Sequence, residues 1–85
     1  MSMELINELQ RADVALQAAR NANNAAFEDY QTAKADRDGL QEMTTDYAIA
    51  CTHVKRAETI HSATCNGVDT AFAVWKKLYD TAVCR

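Results

Sequence analysis

Proline is missing from this sequence of 85 residues, and glycine occurs only at positions 39 and 67. These two residues most often interrupt helices, so long helical stretches are allowed. Apolar residues make up 48% of the chain, but many are alanines, which favour helix and bury little area. A chain of this length has a core that only just offsets the entropy of folding. We therefore expect one all-helical domain, residues 1–85, that gains stability from a partner chain.

Long apolar runs and basic stripes are also missing. No segment approaches the roughly 18 apolar residues that a membrane-spanning helix needs, and the start MSME lacks the features of a signal peptide. Twelve acidic residues exceed nine basic ones, which gives a net charge of −3. Phosphate backbones bind to basic surfaces. We therefore expect neither a membrane nor a nucleic acid as partner.

Cysteine is present but in an odd number. Cys51, Cys65 and Cys84 stand at spacings that match no disulfide framework and no zinc finger. Reduced thiols are typical of the cytosol. This pattern predicts a cytoplasmic protein.

The first half of the chain carries a seam with alternate gaps of four and three residues. This spacing places its members on one face of a helix, which we expect over 3–37 with a length of about 50 Å. The alanines of this seam allow a second helix to approach closely, and Asn23 among them is expected either to fix the register or to pair with its own copy across a symmetry axis. The seam consists of Leu5, Leu9, Ala12, Leu16, Ala19, Asn23, Ala26, Tyr30, Ala33, Arg37 and Leu40.

Two interpretations of the turn after this helix stay open. In one, Asp38 is the N-cap of the next helix and Gln41 completes a capping box. In the other, Gly39 ends the first helix in the left-handed conformation, and Thr44 or Thr45 caps the second helix.

The second half continues with a seam of its own, from Met43 to Ala82. Gly67 costs about 1 kcal/mol inside a helix, and Asn66 is a good N-cap, so we favour a break there. This predicts a three-helix bundle with a second helix over 42–64 and a third over 67–84. The alternative is an antiparallel hairpin in which the second half is one kinked helix. The second seam consists of Met43, Tyr47, Ala50, Val54, Ala57, His61, Thr64, Val68, Ala71, Trp75, Leu78 and Ala82.

Few residues suggest chemistry. Glu28 and Asp29 are adjacent and point about 100° apart on a helix, so they do not form a catalytic pair. His61 and Cys65 share a helix face at the spacing of two zinc ligands. Cys51 lies about 15 Å from His61 along a straight helix, too far to join them. We therefore expect no enzyme, no cofactor and no metal site, with a metal or thiol sensor using His61, Cys65 and Cys51 as the least favoured function.

Aromatic residues are more informative. Phe72, Trp75 and Tyr79 follow at helical spacing, and they either fill the core or anchor a partner, as tryptophan and tyrosine often do at interfaces. The acidic pair at positions 28 and 29 offers a second binding surface. The interface candidates are Ala12, Leu16, Ala19, Asn23, Ala26, Phe27, Glu28, Asp29, Tyr30, Tyr47, Trp75 and Tyr79.

The tract from Glu4 to Asp38, and AFEDYQTAK at 26–34 in particular, resembles small helical accessory proteins of temperate bacteriophages. The resemblance implies a small dimeric helical hairpin that binds a host protein and disables or redirects it. It assigns no functional residue. Our hypothesis is a homodimeric interaction module that regulates or inhibits another protein. The alternative is a structural, assembly or chaperone-like subunit of a larger complex.

Overall fold

The protein is an antiparallel pair of long helices in a computed structural model that describes residues 2–83. Helix α1 spans Met3–Asp38 and helix α2 spans Thr45–Val83. The hydroxyl of Ser2 caps α1 by accepting a hydrogen bond from the Leu5 N–H at 3.1 Å. The pair forms a rod of 62 × 14 × 13 Å. The predicted all-helical class is confirmed.

The predicted break at Gly67 is wrong. Helix α2 continues through this residue, so separate helices over 42–64 and 67–84 do not form, and residue 84 lies outside the described residues. Gly67 is exposed, and a side chain at this position would meet nothing within 4 Å. Because the seam continues on both sides of Gly67, a break would cost packing against α1 to relieve only about 1 kcal/mol of helix propensity.

The end of α1 differs from both interpretations of the turn. Helix α1 runs one residue beyond the predicted 37, so Asp38 is its last residue and not the N-cap of α2. Gly39 follows with φ −82°, which is right-handed, and its N–H still donates to the Ala35 carbonyl at 3.1 Å. A left-handed stop at Gly39 is therefore wrong as well.

The start of α2 agrees with one of the predicted caps. The Thr44 hydroxyl accepts a hydrogen bond from the Tyr47 N–H at 3.1 Å, as an N-cap does. Met43, just before it, adopts φ 67° and is 99% exposed. The left-handed residue of the turn is thus a methionine, which sequence preferences do not favour.

The core lies along the two seams and is thin. From Leu5 to Arg37 and from Tyr47 to Ala82, every predicted seam residue is buried or half-buried, whereas Leu40 and Met43 in the turn are exposed. Among the described residues no side chain is less than 2% exposed. The buried apolar residues are Ala12, Leu16, Ala26, Ala50 and Val54. Two helices alone therefore bury little apolar volume.

Candidate interaction surface

A polar cluster joins the two helices near the middle of the rod. The Cys65 thiol donates a hydrogen bond to Asn23 Oδ1, with Sγ and Oδ1 3.3 Å apart. Thr64 Oγ1 lies 2.9 Å from the same Oδ1 and 2.8 Å from the His61 carbonyl oxygen. Asn23 therefore accepts its hydrogen bonds from α2 of its own chain. A polar residue in a helix seam, such as Asn23, fixes the register of the two helices.

His61 is held in place by two aromatic rings of α1. Its ring centroid lies 5.4 Å from that of Phe27 and 6.0 Å from that of Tyr30, with which it is stacked. This packing leaves Nε2 of His61 3.6 Å from Sγ of Cys65. The two side chains that share a helix face in the sequence thus have Nε2 and Sγ side by side.

Three aromatic rings are stacked along the second half of α2. Ring centroids are 6.0 Å apart between Phe72 and Trp75, and 5.0 Å apart between Trp75 and Tyr79. Trp75 is half-buried in the seam, whereas Phe72 and Tyr79 are 42% and 40% exposed. Trp75 therefore packs inward, whereas its neighbours Phe72 and Tyr79 face outward.

One side of the rod carries the exposed aromatics, and we call it the aromatic face: Phe27, Cys65, Phe72 and Tyr79. Seven residues are nearly two helical turns, so positions 65, 72 and 79 share one side of α2. On α1, position 27 shares a side with Asp13 for the same reason. These positions of α1 and α2 lie on the same side of the rod, because Asp13 and Tyr79 line one shallow groove. The groove is lined by Leu9, Gln10, Asp13, Val14, Trp75 and Tyr79.

The other side of the rod carries an acidic depression near the turn. Asp29 and Asp36 line it together with His53 of α2. Glu28, which precedes Asp29 in the chain, is exposed. We call Glu28, Asp29 and Asp36 the acidic face. Toward the middle of the rod, this side has Ala22 and Gly67, which offer little area to bury.

Tyr47 lies at the turn end of α2 and is half-buried. The negative charge that Cys51 would carry as a thiolate, together with burial and Glu42, raises the pKa of the Tyr47 phenol above its ordinary value. Arg37 opposes this shift. Tyr47, an interface candidate, is therefore partly covered within the hairpin.

Most of the interface candidates on α1 lie inside the hairpin. Ala12, Leu16 and Ala26 are buried, and Ala19, Asn23 and Tyr30 are half-buried. The alanine seam is thus used within one chain. Val14 is an exposed residue that was not among the interface candidates. Phe72, which its helical spacing with Trp75 and Tyr79 indicated as a core residue or an anchor, is exposed as well.

Some kinds of site are missing from the part of the chain that the structure describes. Within residues 2–83, no three side chains of His, Cys, Asp or Glu gather as ligands for a metal. Neither α1 nor α2 is apolar enough over a sufficient length to cross a membrane. Comparisons of the sequence with protein-family models, and of the chain with curated proteins and solved structures, find no match.

Proposed function

We propose that this chain is a non-enzymatic protein–protein interaction module that acts as a homodimer of hairpins. The thin core is the observation that carries this proposal. Among the described residues, the hairpin buries only alanines, one leucine and one valine, while Phe27 stays 46% exposed and Phe72 42% exposed. Such a hairpin gains stability by covering these rings. Large exposed apolar patches commonly mark interaction sites.

A second copy is the best occupant of the aromatic face because of its charges. Asp13, Arg20, Phe27 and Lys34 follow on α1 at intervals of seven residues. Asp13 lies 10 residues before Asn23 and Lys34 lies 11 residues after it. A two-fold axis at the level of Asn23 would therefore bring each Asp13 close to the Lys34 of the other copy. Self-complementarity of this kind is what a two-fold interface requires.

The acidic face remains open in such a dimer and is the surface we assign to another protein. Asp29 and Asp36 stand together there, and a basic patch would complement them. Binding through this face would block or displace the partner. We propose a cytoplasmic regulator or inhibitor of this kind, in line with the resemblance to bacteriophage accessory proteins.

Replacing exposed aromatics with charges tests the dimer directly. Phe72→Glu and Tyr79→Glu should each lower the molar mass toward that of one chain, while the helical circular dichroism remains. Ile60→Glu is the matched control, because Ile60 is 51% exposed on the same helix and lies away from the aromatic face. Equal effects of all three substitutions would contradict the proposed interface.

An assembly subunit is the alternative function for the same surface. The two functions differ in stoichiometry, because an assembly part stays in the finished particle and an inhibitor does not. Detection of this chain at a fixed ratio in a purified particle would favour the alternative.

A further inference from the structure

The spacing between His61 and Cys65 matches that of two ligands of one metal ion. Their Nε2 and Sγ atoms are 3.6 Å apart. In a tetrahedral zinc site, bonds of about 2.0–2.1 Å to nitrogen and about 2.3 Å to sulfur separate these atoms by about 3.5 Å. The two side chains therefore already have the mutual distance that zinc requires.

The surroundings hold this pair in a ligating arrangement. Phe27 and Tyr30 of α1 pack against the His61 ring. Cys65 is half-buried on the aromatic face and is not in a disulfide. Preset ligand orientation is a common property of metal sites, in which neighbouring groups hold the ligands.

One chain supplies only two of the four ligands that zinc prefers. The missing two would come from a second copy. Cys65 stands 20 residues after the start of α2 at Thr45 and 18 residues before its end at Val83, so it lies near the middle of the rod. It also contacts Asn23. The two-fold axis inferred from the charges of α1 lies at the level of Asn23. Residues near a two-fold axis meet their own copies.

We propose that His61 and Cys65 form half of a zinc site, which the same two residues of a second copy complete. The inference rests on the proposed homodimer. Each thiol loses its proton on binding, so one Zn²⁺ ion displaces two protons and is held by two thiolates and two neutral imidazoles. Asn23, whose amide touches the sulfur, would turn its NH₂ group toward the thiolate. Zinc would then strengthen the dimer.

Cobalt substitution tests this site in the full chain. Reduced protein, freed of metal by a chelator, is titrated with Co²⁺ and then with Zn²⁺. We expect a thiolate-to-cobalt charge-transfer band and visible bands of tetrahedral coordination, which saturate at one Co²⁺ per two chains and disappear when Zn²⁺ is added. Absence of the charge-transfer band, or saturation at one Co²⁺ per chain, would overturn the proposal.

The chain offers matched controls for both ligands. Cys65→Ser and His61→Gln should each abolish the charge-transfer band or lower the metal affinity at least tenfold. Cys51→Ser, His53→Gln and Cys84→Ser should leave the band unchanged. Loss of the band in a control and not in the variants at 61 and 65 would assign the metal elsewhere and refute the site.

The molar mass of the metal-free protein separates this inference from the proposed function. A metal-free dimer without a cobalt band would refute the zinc site and leave the homodimer intact. A metal-free monomer that dimerises when Zn²⁺ is added would support the site and refute a dimer held by the aromatic face alone.

Discussion

At the scale of single residues, stability depends on a few side chains. Leu16 is only 4% exposed and is the largest residue of the buried core, whose other members are alanines and one valine. The seam pattern alone was enough to predict its burial, because periodicity identifies the inward face of a helix.

Leu16→Ala should lower the free energy of unfolding by about 2 kcal/mol, the low end of the usual range, because a gap in a two-helix rod opens to solvent. Urea unfolding followed by circular dichroism measures this change. Ile49→Ala, at a position that is 50% exposed and outside the aromatic face, serves as control and should change the value by less than about 0.5 kcal/mol. Equal losses in the two variants would contradict the assigned core.

Tyr47 should make stability depend on pH in the alkaline range. Its folded pKa is raised from 10.0, chiefly by the charge of Cys51, so the unfolded chain releases the phenolic proton more readily. The stabilising effect is complete below pH 10 and is lost as the pH rises through the folded pKa. NMR titration of Tyr47 should show the raised value in the native chain and a value closer to 10 in Cys51→Ala. A native pKa at or below 10 would contradict this account.

At the scale of elements, the sequence predicts both helices but not the connection between them. The packing of two seams, of eleven and twelve positions, stabilises the helices by more than one glycine destabilises α2. Helix α2 therefore continues through Gly67. The turn was harder to predict, because its left-handed position is occupied by Met43 and not by Gly39. Turn preferences favour glycine, so the local sequence pointed to the wrong residue.

Gly67→Ala should raise the free energy of unfolding by about 1 kcal/mol, because alanine is the better helix former and its Cβ meets no other atom. Thermal unfolding of the two proteins measures the difference. Gly39→Ala is a useful comparison, since Gly39 lies just after α1, where helix propensity has less effect. A loss of stability in Gly67→Ala would indicate that α2 bends or breaks there.

At the scale of the whole molecule, the rod leaves two faces that the sequence did not distinguish. The sequence indicated Phe27, Trp75 and Tyr79 as candidates, but their positions relative to one another depend on how α1 and α2 pair. Pairing of Asn23 with Thr64 and Cys65 sets this register and places the exposed rings on one side. Periodicity within one helix contains no information on the register between helices.

A charge swap tests the two-fold geometry. Asp13→Lys and Lys34→Asp should each weaken the dimer by roughly tenfold, because each creates two like-charge contacts across the axis. The double variant should restore most of the affinity. Sedimentation velocity across a range of concentrations measures these constants. If the double variant loses as much dimerisation free energy as the two single variants together, positions 13 and 34 are not in contact.

The most direct test of the account is the molar mass in solution, measured by light scattering across a concentration series in reducing, metal-free buffer. Self-association through the aromatic face predicts a mass of about 19 kDa, twice the 9.4 kDa of one chain. A mass of 9.4 kDa at every concentration, with native helicity, would show that the hairpin is stable alone and would contradict self-association through the aromatic face.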